Sequence, residues 1–210
     1  MINRIDEYRK QYGFYTVDEI VNEIALENVV FDPYSLLISK NVHIGKENIF
    51  YSNIIIKSDD TSLIKIGNRN TFFNNTNFIA ENGGVIEVGN ENIFSGGPIS
   101  IKANMNQAQI IFSDEGRYEG NINVYGNCCF GRGSQILGNI NVYSCKLEAW
   151  ASYKDPDPDC RAGLIKGLGT AKNLVVPQGK VINGWHEFKQ EQLEDQSHYH
   201  SKKRRAQWEK

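Results

Sequence analysis

The chain has 210 residues, 40% apolar and 11% aromatic, which is enough to bury a continuous hydrophobic core. Its net charge of −2 and pI near 6.1 argue against binding of nucleic acid or membranes by the chain as a whole. No apolar run reaches the length of a membrane span, and the charged start MINRIDEYRK lacks a signal-peptide core, so we predict a cytoplasmic protein.

The N-terminal segment is predicted to be helical over residues 2–12 and 16–27. Thr16 followed by Glu19 matches a capping box, and apolar residues recur on one helical face. A helical segment ahead of a solenoid can cover the backbone and core of the first coil. We therefore predict an N-terminal helical cap over residues 1–35, with docking of a partner as the alternative role.

A six-residue period dominates the middle of the chain. Seventeen positions between Ile38 and Val142, six residues apart except for two insertions, hold a large apolar or aromatic side chain fifteen times, where chance gives about seven. The two positions that depart from the pattern are Ser100 and Asn106. This period fits neither an α-helix nor an ordinary alternating strand, and it predicts a β-helix with three short faces per coil.

Insertions and internal repeats support stacked coils. The spacings from Ile56 to Ile66 and from Phe78 to Val88 are each ten residues, which places a four-residue insertion at the same corner of two successive coils. Glycines and asparagines recur at a 22-residue offset before each insertion: Gly45, Gly67 and Gly89, and Asn48, Asn70 and Asn92. The hexapeptide GNINVY occurs at residues 120–125 and again at 138–143. Glycines at corners and stacked asparagine amides are typical of such coils.

The pattern breaks and then resumes toward the C-terminus. Residues 144–161 include KDPDPDCR, which predicts an exposed loop excursion. Hexads resume at Leu164, Thr170, Val176 and Ile182, so the β-helix is predicted to span residues 36–185. Residues 186–210 are polar and helix-compatible, which predicts a C-terminal helical tail whose basic end is a solvated surface, with a specific anionic contact as the alternative. The four cysteines have no zinc-ligand spacing, which predicts reduced thiols and no metal site: Cys128, Cys129, Cys145 and Cys160.

The hexads and the closing segment LVVPQGKVINGW, residues 174–185, resemble the bacterial hexapeptide-repeat proteins, many of which are acyltransferases. The resemblance covers roughly residues 36–185 and implies a mainly β fold, a single-stranded left-handed parallel β-helix. It also implies transfer of an acetyl group from acetyl-CoA, a co-substrate and not a bound cofactor, to a sugar or nucleotide sugar, and assembly as a homotrimer. Fold alone does not fix function.

In that family a histidine acts as general base, because a neutral imidazole accepts a proton near neutral pH. The resemblance points to His186, beside the last coil, as the catalytic residue, and to Lys166, Lys172 and Lys180 as contacts for coenzyme A phosphates. His43 lies between the apolar Val42 and Ile44 and is predicted to point outward into solvent. The remaining histidines, His198 and His200, lie in the polar tail.

The regular coils from Ile66 to Val142 contain no histidine, which departs from the family pattern. The same distribution argues against the related carbonic anhydrases, which need three histidines at one metal. Carboxylates at corners are alternative bases: Asp59, Asp60, Glu81, Asp114 and Glu115. Two other functions stay open. One is a non-catalytic scaffold similar to bactofilins, and the other is a module that binds a ligand or partner through the stacked corner insertions and the loop from Lys154 to Arg161. Helices over both ends would oppose the end-to-end stacking that a bactofilin-like filament needs.

Overall fold

The computed structural model describes residues 2–200, and side chains from Arg4 onward. The chain winds as a parallel β-helix, in which each short strand pairs with the equivalent strand one coil earlier and one coil later. Strands in neighbouring coils lie about 4.8 Å apart, the usual spacing of hydrogen-bonded strands. The fold therefore repeats three faces, here named A, B and C, along one axis.

Each face is a ladder of parallel strands. Face A contains β1 (Val29–Val30), β4 (Ile49–Phe50), β7 (Thr71–Phe72), β10 (Ile93–Ser95) and β13 (Arg117–Glu119). Face B contains β2 (Leu36–Ile38), β5 (Ile54–Ser58), β8 (Thr76–Ala80), β11 (Ile99–Ala103) and β14 (Ile122–Tyr125). Face C contains β3 (His43–Ile44), β6 (Leu63–Ile66), β9 (Val85–Val88), β12 (Gln109–Phe112), β15 (Cys128–Phe130), β17 (Lys146–Leu147) and β19 (Val175–Val176).

In the C-terminal coils, faces A and B are formed by single long strands: β16 (Gln135–Tyr143), β18 (Leu164–Lys172) and β20 (Lys180–Phe188). A glycine at each bend, such as Gly167 with φ +125°, lets the strand turn from one face to the other. A Cβ on Gly167 would lie 2.0 Å from the Gly184 oxygen, so only glycine fits this bend.

The hexad positions form most of the buried core, with two shifts of register. Ile101 is the residue that pairs with Phe78 and Val124, so Ser100 faces outward and Asn106 lies in a corner loop. The six-residue spacing therefore predicted the wrong core residues at these two positions. In the last coils the core residues are Ile165 and Ala171, one residue after the predicted Leu164 and Thr170.

Aromatic rings stack along the axis of the core. Phe72 lies between Phe50 and Phe94 with ring centroids 5.1 and 5.3 Å away, and Phe78 packs edge-on at 5.6 Å. All four rings are fully buried. Burial of an aromatic side chain and favourable ring geometry both stabilise the coil stack.

A ladder of buried asparagines holds the corner between faces C and A. The Asn70 side-chain amide donates to Asn48 Oδ1 at 3.0 Å and to the Gly89 oxygen at 2.9 Å. Asn70 Oδ1 in turn accepts from the Asn92 backbone N–H at 2.9 Å and from its side-chain amide at 3.1 Å. The predicted amide ladder is thus present, and it satisfies corner backbone groups that the strand ladders leave unpaired.

The N-terminal segment packs against the first coil. It contains α1 (Ile2–Gln11), α2 (Val17–Glu19) and a π-helix (Ile20–Ile24). The capping box between Thr16 and Glu19 is present, and Ile20 is buried in the core. Tyr15 donates its backbone N–H to the Ile38 oxygen at 2.8 Å, so this segment binds the strand at the start of face B. No helix within residues 2–200 has the length and hydrophobicity needed to cross a lipid bilayer.

The C-terminal part differs from the prediction at two places. The loop excursion runs from residue 148 to 163, because β17 keeps residues 146–147 in face C, and it contains a 3₁₀-helix (Pro158–Cys160). The described part of the tail, up to residue 200, is not α-helical. It forms two 3₁₀-helices (Gln190–Gln192 and Gln196–His198) and β21 (Leu193–Asp195), which pairs antiparallel with β20. Residues 201–210 of the predicted tail lie outside the described residues.

Candidate functional site

An open groove of about 670 Å³ runs along the outer side of face C and its corner with face A. Its lining starts at His43 on the first coil and ends at Arg132 on the fifth. Four coil steps of about 4.8 Å make the groove about 19 Å long. It is lined by residues from His43–Gly45, Lys65–Gly67, Glu87–Gly89, Ile111–Asp114 and Arg132. We call this the face C groove.

Three stacked glycines form one side of the face C groove. A Cβ on Gly67 would lie 2.5 Å from the Gly89 oxygen, and one on Gly45 would lie 2.6 Å from the Gly67 oxygen. These close approaches demand glycine at each coil. The three residues therefore contribute no side chain to the face C groove.

The groove presents groups of both charges. Three residues on successive strands of face C are paired in register and point outward: His43, Lys65 and Glu87. Lys65 and Glu87 form a long ion pair of 3.9 Å, and both side chains are about half exposed. At the far end, Arg132 Nε donates to Glu115 at 3.0 Å.

His186 lies far from the face C groove. It is exposed at the bend between faces A and B on the last coil, with φ +64°. His43 is on the first coil, between six and seven coil steps or about 31 Å away along the axis. The structure confirms that His43 points outward, as the sequence predicted, and places it in the groove, which the sequence did not predict.

The three predicted coenzyme A contacts do not converge on one site. The Lys166 ammonium lies 3.5 Å from the centre of the Tyr199 ring, and burial lowers the pKa of Lys166. Lys180 forms an ion pair of 2.5 Å with Asp195. Lys172 is exposed at the end of β18, on the outer side of face B.

Most of the alternative carboxylate bases are held by other groups. Asp59 accepts the Asn82 N–H at 2.9 Å, and its pKa is lowered because the neighbouring Ser62 hydroxyl, the Asn82 N–H and Thr61 favour the ionised form. Glu81 pairs with Lys57 at 2.9 Å. The lowered pKa makes Asp59 a weak base, and the ion pair with Lys57 holds Glu81 away from a role in proton transfer.

The two carboxylates at the corner beside the groove also contact neighbouring groups. Asp114 Oδ1 accepts the Asn90 N–H at 2.6 Å and the Asn90 side-chain amide at 3.0 Å, so it ends a second, outer amide ladder. Glu115 pairs with Arg132. Asp60 is exposed at its corner.

The tail histidines and the cysteines do not form a metal site. Within residues 2–200 no group of three or more His, Cys, Asp or Glu side chains is arranged to hold a metal ion. Arg161 Nη1 lies 3.3 Å from His200 Nε2, and the pKa of His200 is lowered by burial and by nearby Arg161 and Lys166. Cys128 and Cys145 are buried free thiols, and burial raises the pKa of Cys128 to about 12.

The residues that sequence reasoning missed are Lys65, Glu87, Ile111 and Arg132. Each occupies an outward position in a different coil, so no linear motif joins them. The recurring Gly45, Gly67 and Gly89 were the available signal, since three stacked glycines leave a corner without side chains. Comparison with protein-family models and with curated proteins found no match for this chain.

Proposed function

We propose that this protein is an acyltransferase built on a left-handed β-helix, transferring an acetyl group from acetyl-CoA to a sugar or nucleotide sugar. The observation that carries the proposal is the face C groove with a histidine at one end. Its length suits the extended arm of an acyl-CoA. The hexads and the closing LVVPQGKVINGW, shared in pattern with hexapeptide-repeat acyltransferases, support the same reaction class.

His43 supplies the general base in this proposal. Its neutral imidazole accepts the proton of the acceptor hydroxyl or amine as that group attacks the thioester carbonyl. The carbon–sulfur bond then breaks, and the thiolate of coenzyme A leaves and takes up the proton. His186, which the family resemblance pointed to, lies too far from the groove to act in the same step.

A ligand-binding module without turnover is the second candidate, because the same groove serves either role. A bactofilin-like filament is less well supported. The N-terminal segment pairs with the first coil, and β21 pairs with the last coil. These contacts occupy strand edges to which another chain would have to bind in a filament.

An apolar surface on face A supports the homotrimer that the resemblance implies. Phe31, Tyr51 and Phe73 stack along its outer side with centroids 4.8 and 4.5 Å apart, and Val29 and Ile49 lie beside them. Phe31 is 62% exposed. Contiguous exposed apolar surface of this kind is typical of protein interfaces. We expect Phe31→Ser to lower the mass measured by light scattering, and an unchanged mass would argue against this interface.

The proposed activity is tested by following free thiol release from acetyl-CoA with a panel of amino and hydroxyl sugars. We expect His43→Gln to lower kcat by about 10² or more, the usual contribution of a general base. His186→Gln is the matched control and should keep full activity. Donor binding without turnover would favour the binding module, and neither binding nor turnover would exclude both.

A further inference from the structure

Lys65 is the cation closest in register to His43. The two residues pair across neighbouring strands β3 and β6, both point outward, and both line the face C groove. Adjacent strands separate their Cα atoms by about 4.8 Å. An acceptor that reaches His43 with its reacting group therefore lies beside the Lys65 ammonium.

Lys65 is held more loosely than the cations around it. Lys46 pairs with Glu27 at 2.7 Å, and Arg69 pairs with Glu91 at 2.7 Å, both at the corner next to the groove. Lys65 and Glu87 are 3.9 Å apart. An exposed pair at this distance contributes little to stability, so a ligand anion can replace the carboxylate at small cost.

We infer that the acceptor carries an anionic group, a phosphate or a carboxylate, within about one sugar unit of the reacting hydroxyl or amine, and that Lys65 binds this group. The inference rests on the proposed function for the role of the acceptor, but binding of the anion is measurable without turnover. Lys65 is a specificity-determining residue in this scheme, and His43 alone contacts the reacting atoms. Glu87, displaced from Lys65, remains on the next coil and excludes a second anion from that position.

The test uses the full chain with isotope-labelled histidine, whose four rings are followed by NMR during titration. The probes are inorganic phosphate, glucuronate and glucose. We expect phosphate, glucuronate or both to shift the His43 ring signals, whereas glucose does not. Phosphate and glucuronate distinguish the two anionic classes. Lys65→Gln should weaken the effect at least about tenfold, as loss of a charge-assisted contact does.

Lys57→Gln is the matched control, because Lys57 is an outward lysine on face B that pairs with Glu81. It should leave the titration unchanged. Equal shifts with glucose, or an unchanged response in Lys65→Gln, would overturn the inference.

An enzyme assay distinguishes failure of the anion site from failure of the proposed acyltransferase function. Lys65→Gln should raise KM for glucosamine 6-phosphate and leave KM for glucosamine unchanged, with kcat preserved. Anion binding at His43 without thiol release would refute the acyltransferase and keep the anion site. Thiol release with glucosamine but no effect of Lys65→Gln would keep the enzyme and refute the anion site.

Discussion

The buried asparagine ladder gives the sharpest prediction about stability. Asn70→Ala removes an amide that is fully buried and makes four side-chain hydrogen bonds to neighbouring coils. The Gly89 oxygen and the Asn92 backbone N–H lose these partners inside the corner. A buried polar group without a partner costs roughly 1–3 kcal/mol, so two such groups give a loss of about 2–6 kcal/mol.

Asn68→Ala is the control two residues away. Its side chain belongs to the outer ladder, accepts the Lys46 N–H at 2.8 Å and is partly exposed, so water can replace it. We expect a loss of about 1 kcal/mol for this variant. Both losses are measured by urea unfolding followed by circular dichroism. Equal losses for the two variants, or a loss under about 1 kcal/mol for Asn70→Ala, would refute this account of the corner.

Three further outcomes are expected. Phe72→Ala, which removes a buried ring from the core stack, should cost about 3–5 kcal/mol in urea unfolding. Phe73→Ala, which changes the outward residue directly after the same strand, should cost far less. Equal costs would contradict the assigned faces. In native protein near pH 8, iodoacetamide should modify the exposed Cys129 and spare Cys128, because Cys128 is buried and burial raises its pKa. The modified cysteine is identified by mass spectrometry, and modification of Cys128 before Cys129 would contradict this packing. His200 has a lowered pKa in the folded state, so its contribution to stability is present above its unfolded value near 6.5 and is lost as pH falls. The protection factor of its backbone N–H, which is the exchange rate corrected for the intrinsic rate at each pH, should therefore fall on acidification, and a protection factor that rises would contradict the sign.

The hexads predicted most of the core because a buried column needs one large side chain per face and coil. They failed at Ser100 and Asn106 for a physical reason. The chain takes seven residues from Phe94 to Ile101 and eleven from there to Phe112, and the two deviations together restore a multiple of six. The six-residue spacing is therefore correct again from Phe112 onward, and the sequence pattern does not reveal the misassigned positions before it.

The C-terminal tail shows where local propensity is overridden. Residues 193–195 are compatible with a helix, but the open edge of the last coil offers unpaired backbone groups. Pairing of Leu193 with Ile182 satisfies those groups, so a strand forms instead. Such a contact depends on distant partners that a local pattern does not encode.

The candidate site was predictable in part. Alternation around Val42 and Ile44 predicted that His43 points outward, and this is confirmed. The groove arises from outward residues of five coils and from stacked glycines, so its position depends on coil register. The choice of His186 as base remains a prediction from family resemblance, and the structure places it on a different part of the surface from the groove.

The most direct test of the central claim is the location of the acyl donor. Ile111 lies in the face C groove, and Ile79 is an outward isoleucine on face B. Methyl NMR of isoleucine-labelled protein during titration with acetyl-CoA should shift the Ile111 signal in a saturable manner and leave the Ile79 signal unchanged. Saturable shifts at Ile79 alone, or no saturable shift at Ile111, would contradict an acyl-donor site in the face C groove.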